Sequence, residues 1–215
     1  MAPLDYKKKD KAWYQPGVIP TGIYVPELTF LMIDGQGDPN GNPEFAQGVE
    51  MLYALSYGVR MSKGKPEAPS GFFEYVVPPL EGLWWVEDDH FDLKARDNWL
   101  WTLMIRQPEF LNQTAFEAIR MQVSKKKPQL PLQGVRLESW EEGFCVQALH
   151  MGPFATETVT MAAIQKVCQE QGWTDLVGFG GRHHEIYLSD PRKVSEDKQR
   201  TILRHPVKKG KVQEV

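Results

Sequence analysis

Apolar runs alternate with turn-rich breaks along this chain, and the spacing inside each run separates strands from helices. The run Leu28-Thr29-Phe30-Leu31-Met32-Ile33 is apolar at nearly every position and ends at the Gly-, Asp- and Pro-containing stretch 34–41, which predicts a buried strand. From Glu44 the period changes: Phe45, Val49, Leu52 and Tyr53 fall at i, i+4, i+7 and i+8, Arg60 and Lys63 follow, and Gly64 supplies a stop. A helix is predicted there. Two short strands, 72–77 and 83–86, are expected next, joined by Pro78-Pro79-Leu80-Glu81-Gly82. Residues 92–106 and 112–126 read as helices, the second with Asn112 as N-cap and Lys125, Lys126 and Lys127 ahead of Pro128. The order then recurs. A strand over 143–150 leads through Met151-Gly152-Pro153 into a helix over 156–171, whose apolar face is Val159, Ala163 and Val167; Gly172 stops it, and a strand over 183–188 follows.

Two helices of nearly equal length, each entered through Gly and Pro after a buried strand, suggest a duplicated strand-helix-strand-strand unit and an α+β fold with an antiparallel sheet. The expected organisation is an N-terminal extended arm over 1–26, rich in Lys and Pro, and one domain over 27–207. That domain divides into a first half over 27–86, a helical insert over 87–130 and a second half over 131–207, with a tail over 208–215. The basic stretch after Pro191 is expected to contribute only a short edge segment around 201–203.

Composition narrows the function. Of 215 residues, 25 are Lys or Arg and 28 are Asp or Glu, a formal net charge of −3, which argues against a dedicated nucleic-acid binder. The 26 residues of the arm are too few for a helix-turn-helix module. The longest apolar stretch, 99–105, is far shorter than the ~20 residues a bilayer span needs, and the lysines near the N-terminus precede no apolar run, so a cytoplasmic protein without membrane contact is expected. Cys145 and Cys168 are too few for a disulfide framework or a thiolate zinc site.

Sites with a familiar spacing are absent. The loop 35–41 has the wrong glycine spacing for a dinucleotide, and Asp34 and Asp38 would repel a pyrophosphate. His90, His150, His183, His184 and His205 include no i, i+4 pair, so no metal site is expected and structural roles are favoured. No Gly-x-Ser-x-Gly elbow occurs, and no other cofactor is implied.

What stands out is the aromatic content, seven Trp, seven Tyr and ten Phe. Such a surplus serves a pocket as well as a core. In the run HHEIYLSDP, strand alternation puts Ile186 and Leu188 on one face and Glu185 and Tyr187 on the other. Taken alone, a carboxylate in that position favours a solvated face, because buried Glu is rare unless paired or functional. The rings and the paired architecture shift the preference toward a cleft.

The segments TGIYVPELTFLMIDGQGDPN, PPLEGLWW, LHMGPFATE and HHEIYLSDPR together resemble the GyrI-like small-molecule-binding proteins, in their stand-alone branch. The resemblance runs from about Asp5 to Val207. It implies two SHS2-type strand-helix-strand-strand units related by pseudo-twofold symmetry. It also implies a groove between them for flat aromatic or cationic compounds, and a glutamate at the groove's centre, which the match places at Glu185. The chain is similar to a stand-alone subfamily that hydrolyses the cyclopropane of DNA-alkylating antibiotics of the yatakemycin type, and that likeness implies xenobiotic detoxification without direct nucleic-acid binding.

On that basis Glu185 is expected to hold or deprotonate the attacking water, with Tyr187 as hydrogen-bond partner or cage wall. Tyr53 and Tyr57, one turn apart, are expected along one side of the groove. Trp84 and Trp85 point to opposite strand faces, and Trp85 is the one assigned to the groove; Trp101 is assigned as a lid. Core packing is the competing role for Tyr53, Trp85 and Trp101. The alternative function is a non-catalytic protein that sequesters or senses flat aromatic or cationic drugs through cation–π contact. The residues fix no oligomeric state.

Overall fold

The computed structural model describes residues 2–87, 96–190 and 192–210. Its strands are β1 (Thr21–Gln36), β2 (Leu80–Trp85), β3 (Leu100–Arg106), β4 (Arg136–Met151), β5 (Trp173–Asp175), β6 (His183–Tyr187) and β7 (Arg200–Lys209). Its helices are α1 (Tyr6–Lys9), α2 (Lys11–Tyr14), α3 (Pro43–Arg60), α4 (Gln113–Lys126) and α5 (Glu157–Gln171). The strands run in the order β4-β1-β3-β2-β6-β7-β5, every named pairing is antiparallel, and β4 also pairs with β7. The first six therefore close into a ring, while residues 21–29 of β1 and 136–144 of β4 have one strand partner each and β5 lengthens the far end of β7.

The first half runs β1-α3-β2-β3 and the second β4-α5-β5-β6-β7, the same order with the short β5 added, and α4 lies between them. The pairing repeats as well: β3 lies between β1 and β2, and β7 lies between β4 and β6.

Local chemistry explains the two long helices. Asn42 caps α3 by accepting from the amides of Glu44 at 2.9 Å and Phe45 at 3.3 Å, with Pro43 in the first turn. Met51, Leu52, Leu55 and Val59 of α3 pack on Leu31, Trp101, Leu103 and Ile105, and α4 adds Phe116, Ile119 and Val123. Ile164 and Cys168 of α5 pack on Val146, Ala148 and Leu203.

Strand alternation then sorts the side chains. Residues facing each other in register share a face, and the face bearing Trp101, Leu103 and Leu203 is the one covered by α3 and α5. The other face lines the inside of the ring and carries Phe30, Met32, Leu83 and Met104.

Several expectations from the sequence are corrected. Residues 100–106 are a strand, not the end of a helix; the part of that predicted helix over 92–95 lies outside the described residues. As the strand between β1 and β2, β3 is buried on both faces and loses the period-2 signature. The arm over 1–26 is not extended throughout: it forms α1 and α2, and its last residues already belong to β1.

Residues 72–77 form only a bridge, Tyr75 with Leu4, and the strand begins at Leu80, once Pro78 and Pro79, which have no amide hydrogen to give a ladder, are past. The segment around 201–203 is neither short nor at an edge. It is the middle of the ten-residue β7, flanked by β6 and β4.

Candidate active site

Three side chains of β6 project toward the helices: His183, Glu185 and Tyr187. Glu185 stands opposite Gly82 of β2 and Leu203 of β7, so it sits mid-sheet beneath the space between α3 and α5 and is only 7% exposed. Glu185 is therefore buried beneath the helices and not on a solvated face. Gly82 is required there. A Cβ at that position would lie 2.9 Å from both Trp84 Nε1 and the Tyr187 hydroxyl, which meet over the glycine with the indole donating to the phenol at 3.2 Å. Tyr187 and Glu185 lie side by side on this face of β6. Burial, then the charge of Glu185, pushes the phenol well above its ordinary range, so Tyr187 stays a neutral donor.

The fourth member comes from the helix of the same repeat. Glu157 is the first residue of α5, 3% exposed, and its Oε1 has no hydrogen-bond partner among the described residues. Burial, reinforced by the charge of Glu185 and only partly offset by Arg96, holds its carboxyl far above the usual carboxylate range. A helix N-terminus favours the anion, but here desolvation wins, and Glu157 is a protonated acid beside a second carboxylate.

The turn that presents Glu157 is pinned by His150, whose Nδ1 is 2.9 Å from Thr160 Oγ1 and whose Nε2 is 3.2 Å from the Pro153 carbonyl. Ligand atoms of Glu157, His183 and Glu185 lie within 4.8 Å of one another, close enough to hold a cation. Burial lowers the basicity of the His183 imidazole, whose Nε2 is 3.3 Å from Glu185 Oε1, and raises that of Glu157. The three can serve as an acid–base group.

Rings wall the group. Trp84 stacks on Phe45 of α3 with centroids 5.9 Å apart and meets Trp99 edge-on at 5.4 Å, while Phe154, just ahead of α5, meets Tyr187 edge-on at 5.9 Å.

The residues singled out from sequence fall into three groups. Glu185 and Tyr187 come together in the cleft, as described. Tyr53 and Tyr57 stack on each other at 6.3 Å; Tyr53 lies beside Leu80, Asp190 and Arg192, and Tyr57 is 48% exposed, so this pair stands at the far end of the cleft rather than over the carboxylates.

The assignments of Trp85 and Trp101 are corrected. Trp85 does lie on the opposite face from Trp84, as alternation requires, but it is Trp84 that shares the face of Glu185. Trp85 instead packs near Trp140 and stacks under the Arg182 guanidinium at 4.0 Å. Trp101 is no lid: it is a core residue 1% exposed, whose ring lies against the Gly35 backbone, where a Cβ would come within 2.1 Å.

Sequence reasoning missed Glu157, Trp84 and His183. The alternation that grouped Glu185 with Tyr187 already put His183 on the same face. Choosing Trp84 over Trp85 needs the cross-strand register, and Glu157 reads as an ordinary acidic residue of a first helical turn. Burial pushes the Cys168 thiol up to about 11 and Cys145 higher still, in line with the absence of a cysteine nucleophile.

Substituting Glu157 by Gln should raise stability. The unfolded carboxyl ionises near its ordinary value of 4.5 whereas the folded one keeps its proton, so as pH rises past 4.5 the native state loses stability relative to the unfolded chain. At pH 7, Glu157→Gln should add ~1–3 kcal/mol to the unfolding free energy, measured by urea titration, and the gain should vanish at pH 4. An equal gain at both pH values would mean that Glu157 is not held protonated.

An α+β ring with a ring-walled acid pair between its two helices defines a small-molecule-binding protein. The chain belongs to the GyrI-like small molecule binding domain family, which it matches over residues 20–208. It resembles an uncharacterized conserved protein from Listeria innocua at 46% identity and TM-score 0.91, over 95% of this chain and all of that one. Two proteins described as hydrolases, also from Listeria innocua, align at 42% identity with TM-score 0.88 and at 43% with TM-score 0.89. They cover 95% and 96% of this chain and all of their own. No curated protein matches. Among the described residues no helix is long and apolar enough to cross a membrane.

Proposed function

We propose that the protein is a hydrolase that adds water to the cyclopropane ring of planar, DNA-alkylating compounds of the yatakemycin type. The observation that carries this reading is the buried pair of carboxyls, Glu185 beside Tyr187 and Glu157 with one oxygen unpartnered among the described residues and its carboxyl held far above the usual range by burial. The likeness to the two Listeria hydrolases supports it. An acid and a base whose oxygens lie within 4.8 Å of each other suit addition of water across a polarised bond.

In the proposed reaction the planar body packs against Trp84, Tyr187 and Phe154, and a water hydrogen-bonded to Glu185 lines up with the cyclopropyl methylene. The water oxygen bonds to that carbon, the carbon–carbon bond of the ring breaks, and its electron pair passes through the conjugated dienone to the carbonyl oxygen. Glu185 takes the water proton. Glu157 gives its proton to the phenolate that forms, so the product is the substrate plus one water. Relief of ring strain drives the step, and the protein supplies alignment and two proton transfers.

Incubating the protein with a cyclopropane-bearing alkylator and following the compound by mass spectrometry tests this. Turnover adds one water to many equivalents. An unchanged mass with saturable binding would replace the hydrolase with the drug-sequestering alternative, for which the same cage suffices.

A further inference from the structure

Three acceptor side chains converge in the cleft. Ligand atoms of Glu157, His183 and Glu185 lie within 4.8 Å of one another, and all three residues are buried. Glu157, only 3% exposed, brings an Oε1 with no hydrogen-bond partner among the described residues. His183 brings its Nε2, 3.3 Å from Glu185 Oε1.

Hydrogen-bond polarity decides what the imidazole offers there. Asp175 Oδ1 accepts from the Val177 amide at 3.0 Å, which aims Oδ2 at His205 Nδ1, 2.7 Å away. An ionised carboxylate only accepts, so His205 Nδ1 carries the hydrogen. With both rings neutral, His205 Nε2 accepts from His183 Nδ1 at 2.8 Å, and His183 presents an Nε2 lone pair to the cleft. A lone pair facing a carboxylate oxygen across a buried gap calls for positive charge between them.

We propose that Glu157, His183 and Glu185 form a binding site for a divalent first-row transition metal ion, Zn2+ in preference to Mn2+. The spacing suits it. Two atoms each ~2.0–2.1 Å from one tetrahedrally coordinated ion stand roughly 3.3–3.4 Å apart, which matches His183 Nε2 and Glu185 Oε1. Glu157 reaches the same ion by a side-chain adjustment of about 1 Å. The charges balance as well, because two ionised carboxylates and a neutral imidazole carry two negative charges, which the ion cancels.

The donor set selects the class of ion. One imidazole nitrogen with two carboxylate oxygens and no thiolate suits Zn2+, Co2+, Fe2+ or Mn2+, whereas Ca2+ and Mg2+ favour oxygen alone. A ligating imidazole is normally steered by a hydrogen bond from its outer nitrogen, and His205, itself held by Asp175, supplies that hold. The charge of Arg96, which acts on Glu157, opposes the ion and keeps the site weaker than a closed structural one.

The site stands whether or not the protein is a hydrolase; only its consequence rests on that reading. With both carboxyls engaged as ligands, Glu157 has no proton to give and Glu185 is not free to take one from water, so the loaded protein is the idle form.

Co2+ titration of the full chain, freed of metal by dialysis against a chelator, tests the site without any organic compound. Visible d–d bands should grow to one equivalent and disappear when Zn2+ is added. Glu157→Gln is the decisive variant: it is expected to be the more stable protein, so it cannot lose the ion by unfolding. It and Glu185→Gln should each weaken Co2+ binding at least about tenfold. Asp175→Asn, whose amide can donate to His205 Nδ1 and so turn both rings to the opposite tautomer, should weaken it ~10- to 100-fold without touching a ligand. Glu170→Gln, exposed at the far end of α5, should change nothing. An absence of d–d bands at ~1 mM Co2+, or binding by Glu157→Gln equal to that of the wild type, would overturn the proposal.

Where turnover is observed, filling the site with Zn2+ should lower kcat at least about tenfold, and chelator should restore it. Turnover undiminished with the site filled would overturn the idle form. If the metal-free wild type hydrolyses nothing, the hydrolase reading fails on its own and the Co2+ titration still decides the site.

Discussion

Replacing Glu185 by Gln should slow ring opening by ~10²- to 10⁴-fold, the range general acid–base groups supply, while ligand affinity changes less than about threefold. The amide keeps the shape of the carboxylate, so the rings around it, Trp84, Tyr187 and Phe154, are undisturbed. What is lost is the capacity to take a proton from water. Single-turnover kinetics under saturating compound, with fluorescence titration for affinity, separates the two effects.

A second consequence follows from the coupling of the acids. Burial is the main reason Glu157 retains its proton, but the charge of Glu185 adds to it, so in Glu185→Gln the folded value of Glu157 should fall. The alkaline limb of any residual activity should therefore move to lower pH. Wild-type rates in Glu185→Gln would remove this residue from the chemistry and leave a binding role. A matching loss of affinity would show instead that the substitution had damaged the cage.

The elements legible in sequence were those with one dominant period. The helix from Pro43 and the helix from Glu157 each carry a capping or breaking signal and an apolar stripe, and both emerged within a few residues of their observed bounds. The strand β3 was not legible, because Trp101, Leu103 and Ile105 meet α3 while Thr102, Met104 and Arg106 face into the ring, and a sequence filled on both faces has no period. The tail was misjudged for a similar reason: its charges, Arg200, Lys208 and Lys209, bracket a core strand whose interior holds Thr201, Ile202 and Leu203.

In the cleft, Glu185 and Tyr187 could be paired because two positions on one strand need no tertiary information. Glu157 and Trp84 join them only through closure of the ring and packing of α5, contacts that no local pattern encodes. The family likeness pointed to Glu185; it gave no sign of Glu157, the buried carboxyl beside it.

Arg204→Met should be the most damaging substitution outside the cleft, lowering the unfolding free energy by ~3–5 kcal/mol. The guanidinium, 3% exposed, lies inside the ring, where it donates to Glu142 Oε2 at 2.9 Å, to Gln147 Oε1 at 3.0 Å and to the Trp13 carbonyl at 2.8 Å. Glu142 is bridged at 2.9 Å to His184, whose other nitrogen is 2.9 Å from Glu81, and Glu81 accepts from Tyr14 at 3.2 Å. The network ties β2, β4, β6 and β7 to α2. Removing the arginine strands a buried carboxylate with one cation where it had two, and methionine cannot hold the Trp13 carbonyl.

The pH dependence gives the sign. Burial opposes ionisation of Glu142, yet His184 and Arg204 together hold its carboxyl down at about 2. The stability it confers is thus present above 4.5 and lost as pH falls from there toward about 2. His184 is the converse: burial alone would lower it, but Glu142 and Glu81 raise it, so its contribution is complete below 6.5 and is lost as pH rises through the raised folded value. In Arg204→Met the acid limb should be smaller and end at higher pH, since Glu142 keeps only His184, and the amides of α2 should exchange faster with deuterium as the hold on Trp13 is released. The double variant Arg204→Met, Glu142→Leu should recover part of the loss, because no unpaired carboxylate is left buried. A loss below ~1 kcal/mol in Arg204→Met, or no recovery in the double variant, would mean that the charge network does not hold the ring closed.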